Sequence, residues 1–166
     1  MKKRKRAAVL ILIVMAALLI FVFRPENVHD TVTEALGVKV NEGEVLEDYD
    51  THGGFLGDGL SCITLQTESD YLLKQIEKDK RWKKFPADKT VETLLYGNGQ
   101  DGPYLKNKEG KLFVPKIRNG YYYLKDRQNA GENGEHRNIL ERYSFNFTLG
   151  IYDADTGILY CIEFDT

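Results

Sequence analysis

No catalytic or cofactor motif of defined spacing is present in the 166-residue sequence. A serine or cysteine hydrolase needs a nucleophile, a base and an orienting group that meet in space. Ser61 and Ser144 lie in the middle of predicted strands. Of the histidines, His29 falls in a predicted linker and His136 in a polar loop. The sequence therefore predicts no catalytic triad, and its length of 166 residues indicates a single domain core.

Acidic residues are absent from the first 24 positions, although the whole chain contains 25 of them. Six of the 23 basic side chains lie in that segment, so the rest of the chain has 17 basic against 25 acidic residues and a net charge of −8. A surface this acidic repels nucleic acid and anionic lipid. We therefore expect no nucleic-acid partner and favour a cation or a basic surface.

Residues 7–23 contain no charged residue and no strong helix breaker. A run of this length is at the short end of the roughly 17–25 residues that cross a bilayer as a helix. A cleaved signal peptide needs small residues before its cleavage point, but this run ends in Phe21, Val22 and Phe23. We therefore predict an uncleaved signal anchor at 7–23, with the lipid bilayer as its partner.

Basic residues flank this run unequally, with five at positions 2–6 and only Arg24 directly after it. The positive-inside rule then keeps residues 1–6 in the cytoplasm. The chain is predicted to be a single-pass plasma-membrane protein, with a stalk at 24–43 and an extracytoplasmic domain at 44–166. The stalk contains one short helical candidate, at 32–36, which Gly37 would end.

The outer domain is predicted to be α+β, a small antiparallel sheet with two helices on one side. Alternating apolar residues indicate strands, and capping residues with apolar stripes indicate helices. The predicted strands are 44–49, 60–67, 112–117, 121–124, 143–151 and 158–164, and the predicted helices are 71–80 and 88–97. Asn119-Gly120 is the strongest hairpin signal and would join 112–117 to 121–124.

The two last strands have a predicted register. Pairing Ile151 with Tyr160 also sets Leu149 opposite Ile162 and leaves a four-residue turn at 154–157. The same register sets Phe147 opposite Phe164, and both rings should then be buried. A slip by one residue would place a carboxylate beside the phenyl ring of Phe147, which is unfavourable.

Asp48, Asp50 and His52 alternate at the end of the first predicted strand, and Asp58 follows across a glycine-rich loop. Alternate side chains share one face of a strand, and carboxylates with an imidazole suit zinc or manganese. These four residues are a candidate site for a divalent metal. Alternatively, the acidic residues cap turns and protect a sheet edge. We favour this second interpretation, and expect no cofactor, because the spacing matches no known ligand motif.

Cys62 and Cys161 are the only cysteines, and both lie in predicted strands outside the reducing cytoplasm. If those strands are neighbours, the two thiols can form a disulfide, provided that their Cα atoms come within about 7 Å. The alternative is two separate thiols that behave as small apolar side chains. The sequence leaves both open.

The aromatic run Tyr121, Tyr122 and Tyr123 is a candidate ligand platform. A tyrosine offers an apolar ring with a polar tip, which suits sugars or peptide chains. The alternative is ordinary cross-strand packing within the sheet.

Several segments together resemble a group of short single-span proteins of Gram-positive bacteria. They are Gly57-Asp58-Gly59, Tyr71-Leu72-Leu73-Lys74-Gln75-Ile76, Trp82, Pro86, Leu94-Leu95-Tyr96-Gly97, Gly120-Tyr121-Tyr122-Tyr123 and the closing hairpin 145–165. The resemblance covers nearly all of the outer domain. It implies a bacterial plasma-membrane location, but that group has no assigned activity and so supplies no functional residue.

Two functions remain open on the sequence. The first is a non-catalytic module of the cell envelope that binds another envelope protein or a wall-associated ligand. The second is a metal-dependent enzyme or metal sensor built on Asp48, Asp50, His52 and Asp58. The anchor, the acidic outer domain and the missing catalytic set favour the first.

Overall fold

A computed structural model describes residues 27–53, 57–67, 70–128 and 139–166. Its helices and strands are α1 (Val28–Leu36), β1 (Glu44–Asp50), β2 (Gly59–Gln66), α2 (Asp70–Lys78), β3 (Lys83–Lys84), α3 (Lys89–Tyr96), β4 (Gly120–Asp126), β5 (Asn146–Asp153) and β6 (Ile158–Asp165). The strands form one antiparallel sheet in the order β1-β2-β6-β5-β4-β3. The predicted α+β class with an antiparallel sheet is therefore confirmed.

The helices cover both faces of the sheet. Helices α1 and α2 pack on one face through a cluster that includes Leu36 and Ile76. Helix α3 packs on the opposite face, where Leu94 joins Phe147 and Leu149 in a second cluster. The prediction that both helices lie on one side is wrong, because the central strands are apolar on both faces and each face needs a cover.

The folded domain includes α1, which lies before the predicted domain boundary at residue 44. Asn27 caps this helix by accepting a hydrogen bond from the backbone N–H of His29, and Gly37 ends it with φ of 68°. Val32 and Leu36 are fully buried against the sheet. The helical candidate and its glycine stop are confirmed, but 28–40 is part of the domain and not a free stalk. The apolar residues of so short a helix do not show from the sequence that it packs on the sheet.

The closing hairpin has the predicted register. Ile151 pairs with Tyr160, and Phe147 pairs with Phe164. The two phenyl rings meet edge to face, with centroids 5.8 Å apart. Phe147 is fully buried whereas Phe164 is half-buried, so the expectation that both rings are buried holds only for the first. The turn occupies 154–157, and Gly157 takes the positive φ of 71° that it requires.

The hairpin predicted at Asn119-Gly120 is wrong. Gly120 is the first residue of β4, which pairs with β5 and β3. Within 112–117 only Leu112 makes a bridge, and its partner is Lys106. The side chain of Asn119 instead donates a hydrogen bond to Asp155 at 2.9 Å. The Asn-Gly pair thus braces the neighbouring β5–β6 turn, a long-range contact that a local turn signal does not reveal.

Within the described ranges, no helix is both long and apolar enough to cross a bilayer. The predicted anchor at 7–23 lies outside the described residues.

Candidate functional site

The face that carries α1 and α2 is apolar at one end and polar at the other. At the polar end, one register row crosses five strands with the residues Lys125, Thr148, Glu163, Ser61 and Asp50. Paired residues in an antiparallel sheet point to the same side, so these side chains share one face. None of the five is apolar, although the other end of the face is part of the core.

A groove of about 670 Å³ opens over this polar end, between the first turn of α1 and strands β1, β2 and β6. We call it the acidic groove. Its lining residues are Val28, Thr31, Asp48, Asp50, His52, Ser61, Ile63, Glu163 and Asp165. Four of these nine are carboxylates, a composition that favours positively charged groups.

His52 joins the segment after β1 to the end of β6. Its Nδ1 lies 2.7 Å from a carboxylate oxygen of Asp50, and its Nε2 lies 3.2 Å from a carboxylate oxygen of Asp165. The backbone N–H of His52 also donates to Asp50 at 2.8 Å. This N–H, together with the imidazole ring, holds the pKa of Asp50 below its usual value. The contacts fix the position of His52 in the groove wall.

Arg127 binds the two carboxylates of β6 that line the groove. Its guanidinium donates to Glu163 at 3.2 Å and to Asp165 at 2.8 Å. The hydroxyl of Thr148 donates to Glu163 at 3.0 Å. One arginine therefore serves two carboxylates, while Asp48 is exposed and makes no ion pair with another described residue. The groove keeps an excess of negative charge.

The structure brings together only part of the predicted metal set. Asp48, Asp50 and His52 line the groove, whereas Asp58 is exposed and does not. Among the described residues, no group of three or more His, Cys, Asp or Glu side chains is arranged to hold a metal ion. Both ring nitrogens of His52 are already directed at carboxylates. The metal hypothesis therefore gains no support from this geometry.

The sequence did not indicate two of the groove residues, Glu163 and Asp165. They come more than 100 residues after His52 and reach it only because β6 pairs with β2. One sequence signal could have indicated them. Cys161 and Glu163 occupy the polar face of the last predicted strand, 158–164, and Asp165 follows that strand directly at the next position of the same face.

No serine–histidine pair of a hydrolase is assembled among the described residues that line the groove. Ser61 lines it together with His52. A histidine base for the Ser61 hydroxyl would have to direct a ring nitrogen at it. Both nitrogens of His52 instead face the carboxylates of Asp50 and Asp165. The arrangement suits binding of a positive group better than acyl transfer.

The two cysteines lie on adjacent strands but on opposite faces of the sheet. Cys62 pairs with Ile162, and Cys161 pairs with Ile63, so the register offsets the cysteines by one residue. Both thiols are free and buried. Burial raises the pKa of Cys62 to about 12 and also raises that of Cys161. Since their side chains point apart, the structure agrees with two separate thiols and not with a disulfide.

Tyr121, Tyr122 and Tyr123 do not form an exposed platform. Tyr122 and Tyr123 are buried on opposite faces, and the ring of Tyr123 packs 5.8 Å from that of Trp82. Tyr121 is half-buried and donates its hydroxyl to Glu77 at 3.1 Å. The cross-strand packing alternative describes them better, because helices cover both faces.

The fold and the groove together describe an α+β domain with an acidic groove and no assembled catalytic centre among its described residues. No family model, curated protein or solved structure matches the chain. The geometry of the groove is therefore the basis for a functional proposal.

Proposed function

We propose that this chain is a membrane-anchored protein whose outer domain is a non-catalytic binding module of the bacterial cell envelope. Its acidic groove receives a positively charged group of an envelope protein or of a wall-associated ligand. One observation carries the proposal, namely that four carboxylates line an open groove at the polar end of the sheet.

The charge of the groove supports a cationic ligand. Asp48, Asp50, Glu163 and Asp165 supply four negative charges, and Arg127 supplies one compensating positive charge. Exposed pairs each contribute about 0.2–1 kcal/mol. Because each contribution is small, a ligand needs several positive groups to bind the groove with appreciable affinity. A lysine- or arginine-rich segment meets that requirement.

The predicted anchor supports a ligand close to the membrane. Val28 lines the groove and follows the predicted span 7–23 by five residues. Five residues reach at most about 18 Å even when fully extended. With 7–23 in the bilayer, the groove therefore opens near the outer surface of the plasma membrane, where other envelope proteins are accessible.

Binding of short charged peptides tests this function. The full-length protein in a non-ionic detergent is titrated into fluorescent octalysine and octaglutamate, and anisotropy is measured at low and high salt. Octalysine should bind and octaglutamate should not. Asp48→Asn should weaken octalysine about threefold, the effect of one partly exposed charge pair.

Glu109→Gln is the matched control, because Glu109 is also exposed but lies in a turn away from β1 and the groove. It should leave octalysine binding unchanged. Equal binding of both peptides, or equal weakening by both substitutions, would reject the groove as the binding surface.

The location has a separate test in intact cells. Both native cysteines are replaced by alanine, and Lys108→Cys places a single thiol in the exposed turn after Asn107. A thiol reagent that does not cross membranes should label this site without lysis. Labelling only after lysis would show that the domain faces the cytoplasm.

A further inference from the structure

Strand β1 has a free edge. It is the first strand of the sheet and pairs only with β2, and within the described residues no strand lies along its other side. Six of its seven residues are exposed. Such an edge presents unpaired backbone N–H and C=O groups, and a further strand can hydrogen-bond to them.

The hydrogen-bond phase of β1 shows which groups point outward. The N–H of Thr51 donates to the carbonyl of Leu60 on β2 at 3.1 Å. Antiparallel strands alternate, so the neighbouring backbone groups of Asp50, and again those of Asp48, point away from β2. These two residues therefore combine an outward-facing backbone with a side chain in the acidic groove.

The charge of β1 indicates which kind of strand can pair with its free edge. Its charged residues are all acidic, namely Glu44, Glu47, Asp48 and Asp50. A second copy of β1 would bring like charges opposite one another, which destabilises strand pairing. A bulge at Leu46 further limits the regular part of the edge to 47–50. The edge thus disfavours its own copy and suits a short basic strand.

We propose that β1 binds an extended segment of another envelope protein as an added strand, with lysine or arginine at alternate positions facing the acidic groove. A cross-strand neighbour would place its Cβ about 5 Å from that of Asp48 or Asp50. Its other side chains would lie beside Glu47 and Tyr49. The inference rests on the proposed function, because the groove supplies the charge that the segment recognises.

The test compares two peptides of equal charge. The first is an eight-residue peptide that alternates lysine and valine. The second has the same sequence with every second backbone amide methylated, which removes the donors along one edge. Anisotropy with the full-length protein in detergent gives the two affinities. Each lost hydrogen bond removes about 0.5–1.5 kcal/mol, so two lost bonds should weaken binding about tenfold.

An infrared measurement reports the conformation directly. A ¹³C-labelled carbonyl in the middle of the unmodified peptide should shift to the β-strand position on binding. Asp48→Asn should weaken this peptide about threefold, and Glu109→Gln should not.

The outcomes separate the two proposals. Equal affinity of the methylated and unmodified peptides, without a β-strand carbonyl band, would overturn strand addition but leave the acidic groove as a cation-binding surface. Dimerisation of the protein that blocks the peptide would also overturn it, since a second copy would then occupy β1. If neither peptide nor octalysine binds, the proposed function itself fails.

Discussion

Leu36→Ala tests whether α1 is part of the folded domain. Leu36 has no solvent exposure and lies in the cluster that joins α1 to the sheet. The substitution removes three carbon atoms, which is about 2.4 kcal/mol of transfer free energy at ~0.8 kcal/mol per carbon. The remaining cavity adds a further penalty, and buried Leu→Ala changes cost about 2–5 kcal/mol. We expect a loss of about 3 kcal/mol in the free energy of unfolding.

The assay is urea unfolding of the full-length protein in a non-ionic detergent. Trp82 is the single tryptophan, is buried in the same cluster as Leu36, and reports unfolding by fluorescence. With an m-value of about 2 kcal/mol per molar urea, a loss of 3 kcal/mol lowers the midpoint by about 1.5 M. The thermal midpoint should fall by roughly 10 °C.

Glu34→Ala on the same helix is the control. Glu34 is exposed, so its replacement should change stability by less than about 0.5 kcal/mol. If Leu36→Ala has as small an effect as Glu34→Ala, then α1 adds nothing to the fold. The domain would in that case begin at β1, and the contacts of α1 with the sheet would be wrong.

Two further predictions concern the core. Gly150→Ala should cost about 1–3 kcal/mol, because the new Cβ would lie 2.7 Å from the indole of Trp82. Gly53→Ala, where the nearest such atom is 3.9 Å away, should be nearly neutral in the same urea assay. Burial raises the pKa of Cys62 to about 12 and also raises that of Cys161, so little reactive thiolate exists at pH 8. Both thiols should react slowly in the folded protein and completely once it is unfolded without reductant; an unreactive pair would indicate a disulfide.

Features that depend on neighbouring residues were predictable from the sequence. The 154–157 turn and the register of β5 and β6 follow from a short alternating pattern with a glycine at the right place. Helix α3 likewise lies between its predicted N-terminal cap Asp88 and its predicted C-terminal stop Gly97. In each case the determining contacts lie within about 20 residues.

Features that depend on strand order were not predictable. The partner of 121–124 is β5 and not 112–117. The candidate site shows the same division. Asp48, Asp50 and His52 were found by their local spacing, whereas Glu163 and Asp165 join them only through the pairing of β6 with β2.

The excess negative charge of the groove opposes folding stability, and this gives a last prediction. Like charges on one sheet face destabilise it, and Arg127 compensates only Glu163 and Asp165 directly. Asp48 is exposed and unpaired with any described basic residue. If its charge serves binding, Asp48→Asn should raise the urea midpoint or leave it unchanged while it weakens octalysine binding about threefold. A fall in both stability and binding would instead show that Asp48 supports the fold, and that the weaker binding is a consequence of local unfolding.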